Sequence, residues 1–150
     1  MIDINEQIGN EIADAYSAGF EDGKKHGRKL IELVEKWAEE KDLLHEENAG
    51  RQFMKFIEEV FEFRDEWLLM VHEYNKCSFG EEDDDPEVVE HGENMKLEMG
   101  DVFVTLIILC KQLQMDPVKC LEMAQEKIKD RKGKTIGGTF VKEEDIECYK

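Results

Sequence analysis

The sequence has few basic residues and no long apolar run, and each shortage excludes a class of protein. Its 20 lysines and arginines are outnumbered by 37 aspartates and glutamates, which gives a net charge of −17. Such a surface repels nucleic-acid phosphates and anionic lipid headgroups, so we expect no direct nucleic-acid binding and no membrane binding. The longest uncharged apolar stretch, Val102 to Cys110, is about half as long as a membrane-spanning helix.

Signals for disulfides, zinc binding and secretion are also missing. The four cysteines form no CxxC pair, and no group of cysteines and histidines has zinc-ligand spacing. The first dozen residues contain neither the basic segment nor the apolar core of a secretory signal. The sequence therefore predicts a reduced, cytoplasmic protein.

What remains is typical of an all-α protein, since there are only two prolines and little apolar–polar alternation. The length predicts a single domain, 1–150. Apolar residues at helical spacing predict helices over 29–43, 51–75 and 93–114, and a fourth that begins at Pro117 after an Asp116 cap and runs to about Arg131. Four helices with short connections predict a four-to-five-helix bundle.

Two segments are less regular. Residues 1–28 combine helical spacing of isoleucines with three glycines, and they form either a glycine-weakened helix or a mobile extension. Residues 78–92 are acidic and contain glycines and a proline, which predicts a solvated loop. The tail after Arg131 shows no strong period.

The second half of the third predicted helix, VFVTLIILC, is apolar on every side. A helix of this kind must be buried all round, which a lone four-helix bundle does not achieve. We therefore expect that a homo-oligomer completes the core, either a homodimer or a homotetramer.

Two pairs of acidic residues stand out on the predicted helices. Glu59 and Glu62 are three residues apart, as are Glu98 and Asp101, so each pair projects from one helix face. Glu59 borders the apolar stripe of its helix, and Glu98 has apolar neighbours on its side of the third helix. A carboxylate in such surroundings is costly unless it is paired or bound to metal.

If the two helices pack antiparallel, the acid pairs face each other and their charges repel. A divalent cation would relieve this repulsion, and oxygen ligands select a hard ion such as Mg²⁺, with Mn²⁺ as an alternative. Such ions bind polyphosphates and generate a hydroxide nucleophile. The other interpretation is that these pairs are ordinary solvated faces, because acidic helical proteins contain many of them by chance.

These motifs together resemble the MazG-like branch of the all-α nucleoside triphosphate pyrophosphohydrolase superfamily. The resemblance covers about residues 29–140. It rests on KWAEEKDLL, on RQFMKFIEEVFEF with its Glu-Glu-x-x-Glu, and on LEMGDVFVTLIILCKQLQMDPVKCLEMAQEKIKDRKGK with its Glu-x-x-Asp and Lys-x-x-x-Arg. It implies a helical bundle completed by oligomerisation. It also implies Mg²⁺-dependent hydrolysis of nucleoside triphosphates, deoxynucleotides foremost, to the monophosphate and pyrophosphate, with a metal-activated water attacking the α-phosphorus.

The resemblance also implies roles for single residues. Glu59, Glu62, Glu98 and Asp101 would be the metal ligands. Glu58 and Glu59 would be the catalytic residues, because Glu58 or a ligand carboxylate would orient the attacking water or take its proton. Lys127 and Arg131 would meet phosphate oxygens. Lys55 and Gln52 would reach the same side as Glu59, although Lys55 and Glu59 equally form an intrahelical ion pair at this spacing. Trp37, Phe56 and Trp67 are candidates to stack on the base or, alternatively, core residues.

One departure and one competing interpretation remain. The interval between Glu62 and Glu98 is longer than is common in that family, so the segment 78–92 is a lid, a specificity element or an insertion. The high negative charge also fits a non-catalytic acidic binding protein that mimics nucleic acid or acts as a regulatory partner.

Overall fold

The chain is mostly helical, and the computed structural model describes residues 4–77 and 85–149. Its order is α1 (Ile4–Glu40), a short 3₁₀ turn (Glu46–Asn48), α2 (Ala49–Tyr74), α3 (Pro86–Gln112), α4 (Pro117–Ile128), β1 (Gly133–Ile136), β2 (Thr139–Lys142) and a 3₁₀ segment (Glu143–Tyr149). The chain divides into two compact units, and the boundary lies between Gln114 and Met115. The all-α prediction is therefore confirmed in outline, with a small hairpin added.

The first unit contains α1, α2 and α3. Its helix α1 is far longer than the predicted 29–43, because the segment from Ile4 continues as one helix through the three glycines. Residues 4–28 are therefore helical. Lys111 Nζ on α3 lies 2.9 Å from Glu35 Oε2 on α1, and this ion pair joins the two helices.

The third helix begins seven residues earlier than predicted. The loop expected over 78–92 is too long, because residues 86–92 form the first two turns of α3. Asp85 caps this helix by accepting hydrogen bonds from the backbone N–H groups of Glu87 and Val88, and Pro86 occupies the first helical position. Residues 78–84, which hold most of the acidic run, lie outside the described residues.

The packing of α3 leaves much apolar surface uncovered. Ile108, Leu109 and Cys110 are buried, whereas Phe103 is 58% exposed and Leu106 is 37% exposed. The prediction that this helix is buried on every side is therefore not met within one chain. No helix in the described ranges is long and apolar enough to cross a membrane.

The second unit consists of α4 and a hairpin. The predicted Asp116 cap is confirmed, since its carboxylate accepts from the backbone N–H groups of Val118 and Lys119. Strands β1 and β2 pair antiparallel with Gly133 opposite Lys142. The hairpin was not predicted, because the tail after Arg131 shows no strong period.

Candidate metal centre

Helices α2 and α3 pack antiparallel, which fulfils the condition for the two acid pairs to meet. Gln52 near the start of α2 donates a hydrogen bond to the backbone oxygen of Thr105 in the second half of α3 (3.1 Å). Glu66 further along α2 contacts His91 near the start of α3 (2.8 Å). Between these two contacts, α2 carries Glu59 and Glu62 opposite Glu98.

Three carboxylates converge at this position. One oxygen from each of Glu59, Glu62 and Glu98 lies within 4.8 Å of the other two. Glu59 is 6% exposed, Glu98 is half-buried and Glu62 is exposed, so the cluster opens to solvent on one side. We call these three residues the carboxylate cluster; they are three of the four predicted metal ligands.

The electrostatics of the carboxylate cluster are those of like charges held together. A hydrogen bond with Glu59 raises the pKa of Glu62, and burial and the Glu59 charge act in the same direction. Burial raises the pKa of Glu98, and the negative charges of Asp101, Glu59 and Glu66 add to the effect. A divalent cation would reverse this repulsion, and an all-oxygen donor set suits Mg²⁺ or Mn²⁺. The residues present therefore fit such an ion.

Asp101 lies beside the carboxylate cluster and not within it, among the residues that the structure describes. It is exposed, and it lines a cavity of about 410 Å³ between α1 and α3. The other lining residues are apolar: Leu30, Leu33, Val34, Trp37 and Val104. The structure thus brings together two predicted site residues, Asp101 and Trp37, at one cavity, which we call the Trp37 cavity.

Lys55 lies one turn before Glu59 on α2 and forms an ion pair with it. Its Nζ lies 2.7 Å from Glu59 Oε1 and 3.1 Å from Glu58 Oε1. The hydrogen bond with Glu59, followed by that with Glu58, raises the pKa of Lys55. The intrahelical ion pair is therefore present, and a contact between Lys55 and substrate stays a prediction. Glu58 is exposed on the solvent side of the helix.

The remaining predicted residues occupy other positions. Gln52 is half-buried, and its amide nitrogen is engaged with Thr105. Lys127 and Arg131 belong to the second unit, where they line a cleft of about 540 Å³ together with Lys132, Lys142, Glu143 and Glu144. Phe56 is half-buried and Trp67 is 48% exposed.

Glu66 and His91 are neighbours of the site that the sequence analysis did not single out. Their contact joins α2 to α3, and the Glu66 charge contributes to the raised pKa of Glu98. The spacing held a signal, because Glu66 follows Glu62 by one helical turn on the same face. The sequence offered no such signal for His91, because residue 91 was assigned to the predicted loop.

The comparisons with known proteins add one relative. No protein-family model matches the chain, and no solved structure is significantly similar to it. The chain is 32% identical over 91 residues to an uncharacterized 18.2 kDa protein, from the rep-hol intergenic region of Haemophilus phage HP1. The match covers 61% of this chain and 44% of the phage protein, so the chain spans less than half the length of that relative.

Proposed function

We propose that the protein hydrolyses nucleoside triphosphates, deoxynucleotides foremost, to the monophosphate and pyrophosphate with the help of Mg²⁺. The observation that carries the proposal is the carboxylate cluster, formed by Glu59, Glu62 and Glu98 across an antiparallel helix pair. Without a cation this arrangement leaves repelling charges in a partly buried site. The resemblance to the MazG-like pyrophosphohydrolases, noted from the sequence, supports the same interpretation.

In this proposal, the carboxylate cluster holds the cation through hard oxygen ligands. The cation would act as a Lewis acid toward phosphate oxygens. Asp101 lies close enough to Glu98 to raise its pKa, and it is exposed at the wall of the Trp37 cavity. In this proposal, Asp101 joins the ligand set or contacts the sugar.

The Trp37 cavity is the proposed place of the nucleobase. Five of its six lining side chains are apolar, and Trp37 offers a partly exposed aromatic face. Stacking on such a face is tolerant of base identity. Because Asp101 lies at the cavity wall, a base bound there leaves its phosphates on the side of the carboxylate cluster.

Glu58 is the proposed proton acceptor for the attacking water. It precedes Glu59 directly and is exposed, and Lys55 orients its carboxylate at 3.1 Å. A carboxylate beside the reacting phosphate can take a proton from water without itself being a metal ligand. This role is separate from that of the buried Glu59.

The uncovered apolar surface supports the proposed homodimer or homotetramer. Phe103 and Leu97 on α3 are each more than half exposed, as are Met54 and Phe61 on α2. Exposed apolar side chains in such numbers are typical of subunit interfaces. A second copy is the simplest occupant because residues 4–77 and 85–149 leave this surface open.

The test is product analysis with a panel of nucleotides in ¹⁸O-labelled water. Purified protein is incubated with Mg²⁺ and each of the eight common ribo- and deoxyribonucleoside triphosphates. We expect pyrophosphate release that stops when the metal is chelated. The label should appear in the monophosphate, because attack is at the α-phosphorus; attack at the β-phosphorus would place it in the pyrophosphate.

Two variants on α3 make the test specific. Glu98→Gln removes a carboxylate of the cluster and should lower the rate by at least about a hundredfold. Glu93→Gln removes an exposed carboxylate paired with Lys96 and should leave the rate unchanged. If the folded wild type releases no pyrophosphate with Mg²⁺ or Mn²⁺, the proposal fails and the acidic binding protein becomes the better interpretation.

A further inference from the structure

A pocket lies next to the carboxylate cluster, near the start of α2. It has a volume of about 290 Å³ and is lined by Leu43, Asn48, Arg51, Gln52, Lys55 and Gln112. Five of these six side chains are polar, two are cationic and none is acidic. In a chain with a net charge of −17, a pocket without a carboxylate is a local exception. We call it the Gln112 pocket.

The two cations make the Gln112 pocket suitable for an anion. Arg51 forms no ion pair with any carboxylate in the part of the chain that the structure covers, so its guanidinium is available. Lys55 also forms ion pairs with Glu58 and Glu59, which do not line the pocket. Arginine presents a planar fork of donors that matches phosphate oxygens. Asn48 adds an amide that does not cap its own helix.

Gln112 supplies the feature that identifies the anion. It is 3% exposed, and its Nε2 donates to the backbone oxygen of Leu43 at 2.7 Å. Since that carbonyl can only accept, the amide orientation is fixed and Oε1 is left as an acceptor. Gln112 Oε1 is buried and has no hydrogen-bond partner within residues 4–77 and 85–149. A buried acceptor without a donor is costly, so a ligand that brings a donor gains affinity there.

We propose that the Gln112 pocket binds a hydrogen-phosphate group, a phosphate that keeps one proton. Its P–OH donates to Gln112 Oε1, while its other oxygens accept from Arg51, Lys55 and Asn48. The pocket borders the carboxylate cluster through Lys55, whose Nζ contacts Glu59. If the proposed function holds, on which this part rests, the group is the terminal phosphate of the triphosphate or one end of the released pyrophosphate.

The pocket is tested by anion binding to the full chain without metal. Isothermal titration in the presence of EDTA compares inorganic phosphate with sulfate, which has a similar size but no proton near neutral pH. We expect phosphate to bind about tenfold more tightly than sulfate, because only phosphate satisfies Gln112 Oε1. Equal binding of the two anions, or no binding of either, would overturn the proposal.

Three variants locate the binding in the pocket. Arg51→Met should weaken both anions, whereas Gln112→Met should reduce phosphate to the level of sulfate. Arg64→Met changes an arginine of the same helix that lies over the ring of Phe61, outside the pocket, and should leave both affinities unchanged. Unchanged phosphate binding by folded Arg51→Met would show that the anion binds elsewhere.

A measurement on the wild type alone covers the case in which Gln112→Met does not fold. Methyl phosphate loses its remaining proton near about pH 6, whereas inorganic phosphate keeps one on both sides of that pH. Binding of methyl phosphate should therefore fall relative to inorganic phosphate as the pH rises from 5 to about 8. A constant ratio would contradict the role of Gln112. Because no step requires metal or hydrolysis, this result is independent of the pyrophosphate assay.

Discussion

At the scale of the residue, Glu98 shows most clearly how the carboxylate cluster lowers the stability of the metal-free fold when its side chains are charged. Burial and neighbouring negative charges raise its pKa in the folded chain. The folded state therefore holds the Glu98 proton more tightly than the unfolded state. The stabilising effect of that proton is complete below the ordinary glutamate pKa, about 4.3, and is lost as the pH rises through the raised value.

Replacing Glu98 by Gln should therefore stabilise the metal-free protein near neutral pH. We expect the melting temperature in EDTA to rise by a few degrees at neutral pH and to match the wild type below about pH 4. Thermal unfolding followed by circular dichroism across this range measures the difference. Glu93→Gln, which removes an exposed carboxylate paired with Lys96, serves as the control and should not gain stability at neutral pH. A loss of stability in Glu98→Gln at neutral pH would show that Glu98 has a favourable partner.

Several residues of the site could be predicted from the sequence, and the reason is geometric. Glu59 and Glu62 share a helix face by their spacing alone. The assumption that the two helices pack antiparallel was enough to predict that Glu98 lies opposite them. The position of Asp101 was not predictable in this way. It follows Glu98 by three residues, yet the Trp37 cavity that it lines depends on where α1 packs against α3. Gln112 drew no attention because its significance is an unpaired buried oxygen, which only a structure reveals.

At the scale of the element, the start of α3 depends on a local signal. Asp85 and Pro86 are the helix-start pair that was recognised correctly at Asp116 and Pro117. The acidic run before Asp85 concealed the first pair, because many carboxylates in sequence predict a solvated loop. The hairpin was missed for another reason. Its strands are only four residues long, and its signal is the Gly137-Gly138 turn, in which both residues have positive φ.

Removing the Asp85 cap should destabilise the start of α3. Its carboxylate accepts from two backbone N–H groups, at 2.9 Å and 3.3 Å. We expect Asp85→Ala to lower the free energy of unfolding by about 1 kcal/mol, as measured by urea denaturation. Asp65→Ala, at an exposed position in the interior of α2, should change it by less than about 0.5 kcal/mol. Equal effects of the two substitutions would contradict the capping role.

At the scale of the whole molecule, the chain has a small core for its length. The buried apolar residues among those described are Ala38, Ile108, Leu109, Cys110 and Val141. Large apolar side chains remain exposed along α1, α2 and α3, and burying them in a subunit interface would stabilise the fold. The apolar second half of α3 is the sequence feature from which a subunit interface was predicted.

An acidic residue at Phe103 should weaken the proposed assembly. Phe103 is 58% exposed in the single chain, so a monomer would tolerate Phe103→Glu, whereas an apolar interface would not. We expect sedimentation equilibrium to give a multiple of the 17.5 kDa chain mass for the wild type and a lower mass for the variant. Gln125→Glu adds the same negative charge at an exposed position of α4, a different helix from the one that carries Phe103, and should assemble as the wild type does. A monomeric wild type at micromolar concentration would refute the assembly.

Binding of Mn²⁺ to the carboxylate cluster tests the central claim most directly, because it requires neither the right nucleotide nor turnover. The free Mn²⁺ signal in electron paramagnetic resonance is titrated with wild type, Glu59→Gln, Glu98→Gln and the control Glu93→Gln. The account predicts saturable binding that Mg²⁺ displaces, weakened at least about tenfold in the first two variants and unchanged in the control. Binding of equal strength in all four proteins, or none in the wild type, would contradict a metal centre at Glu59, Glu62 and Glu98.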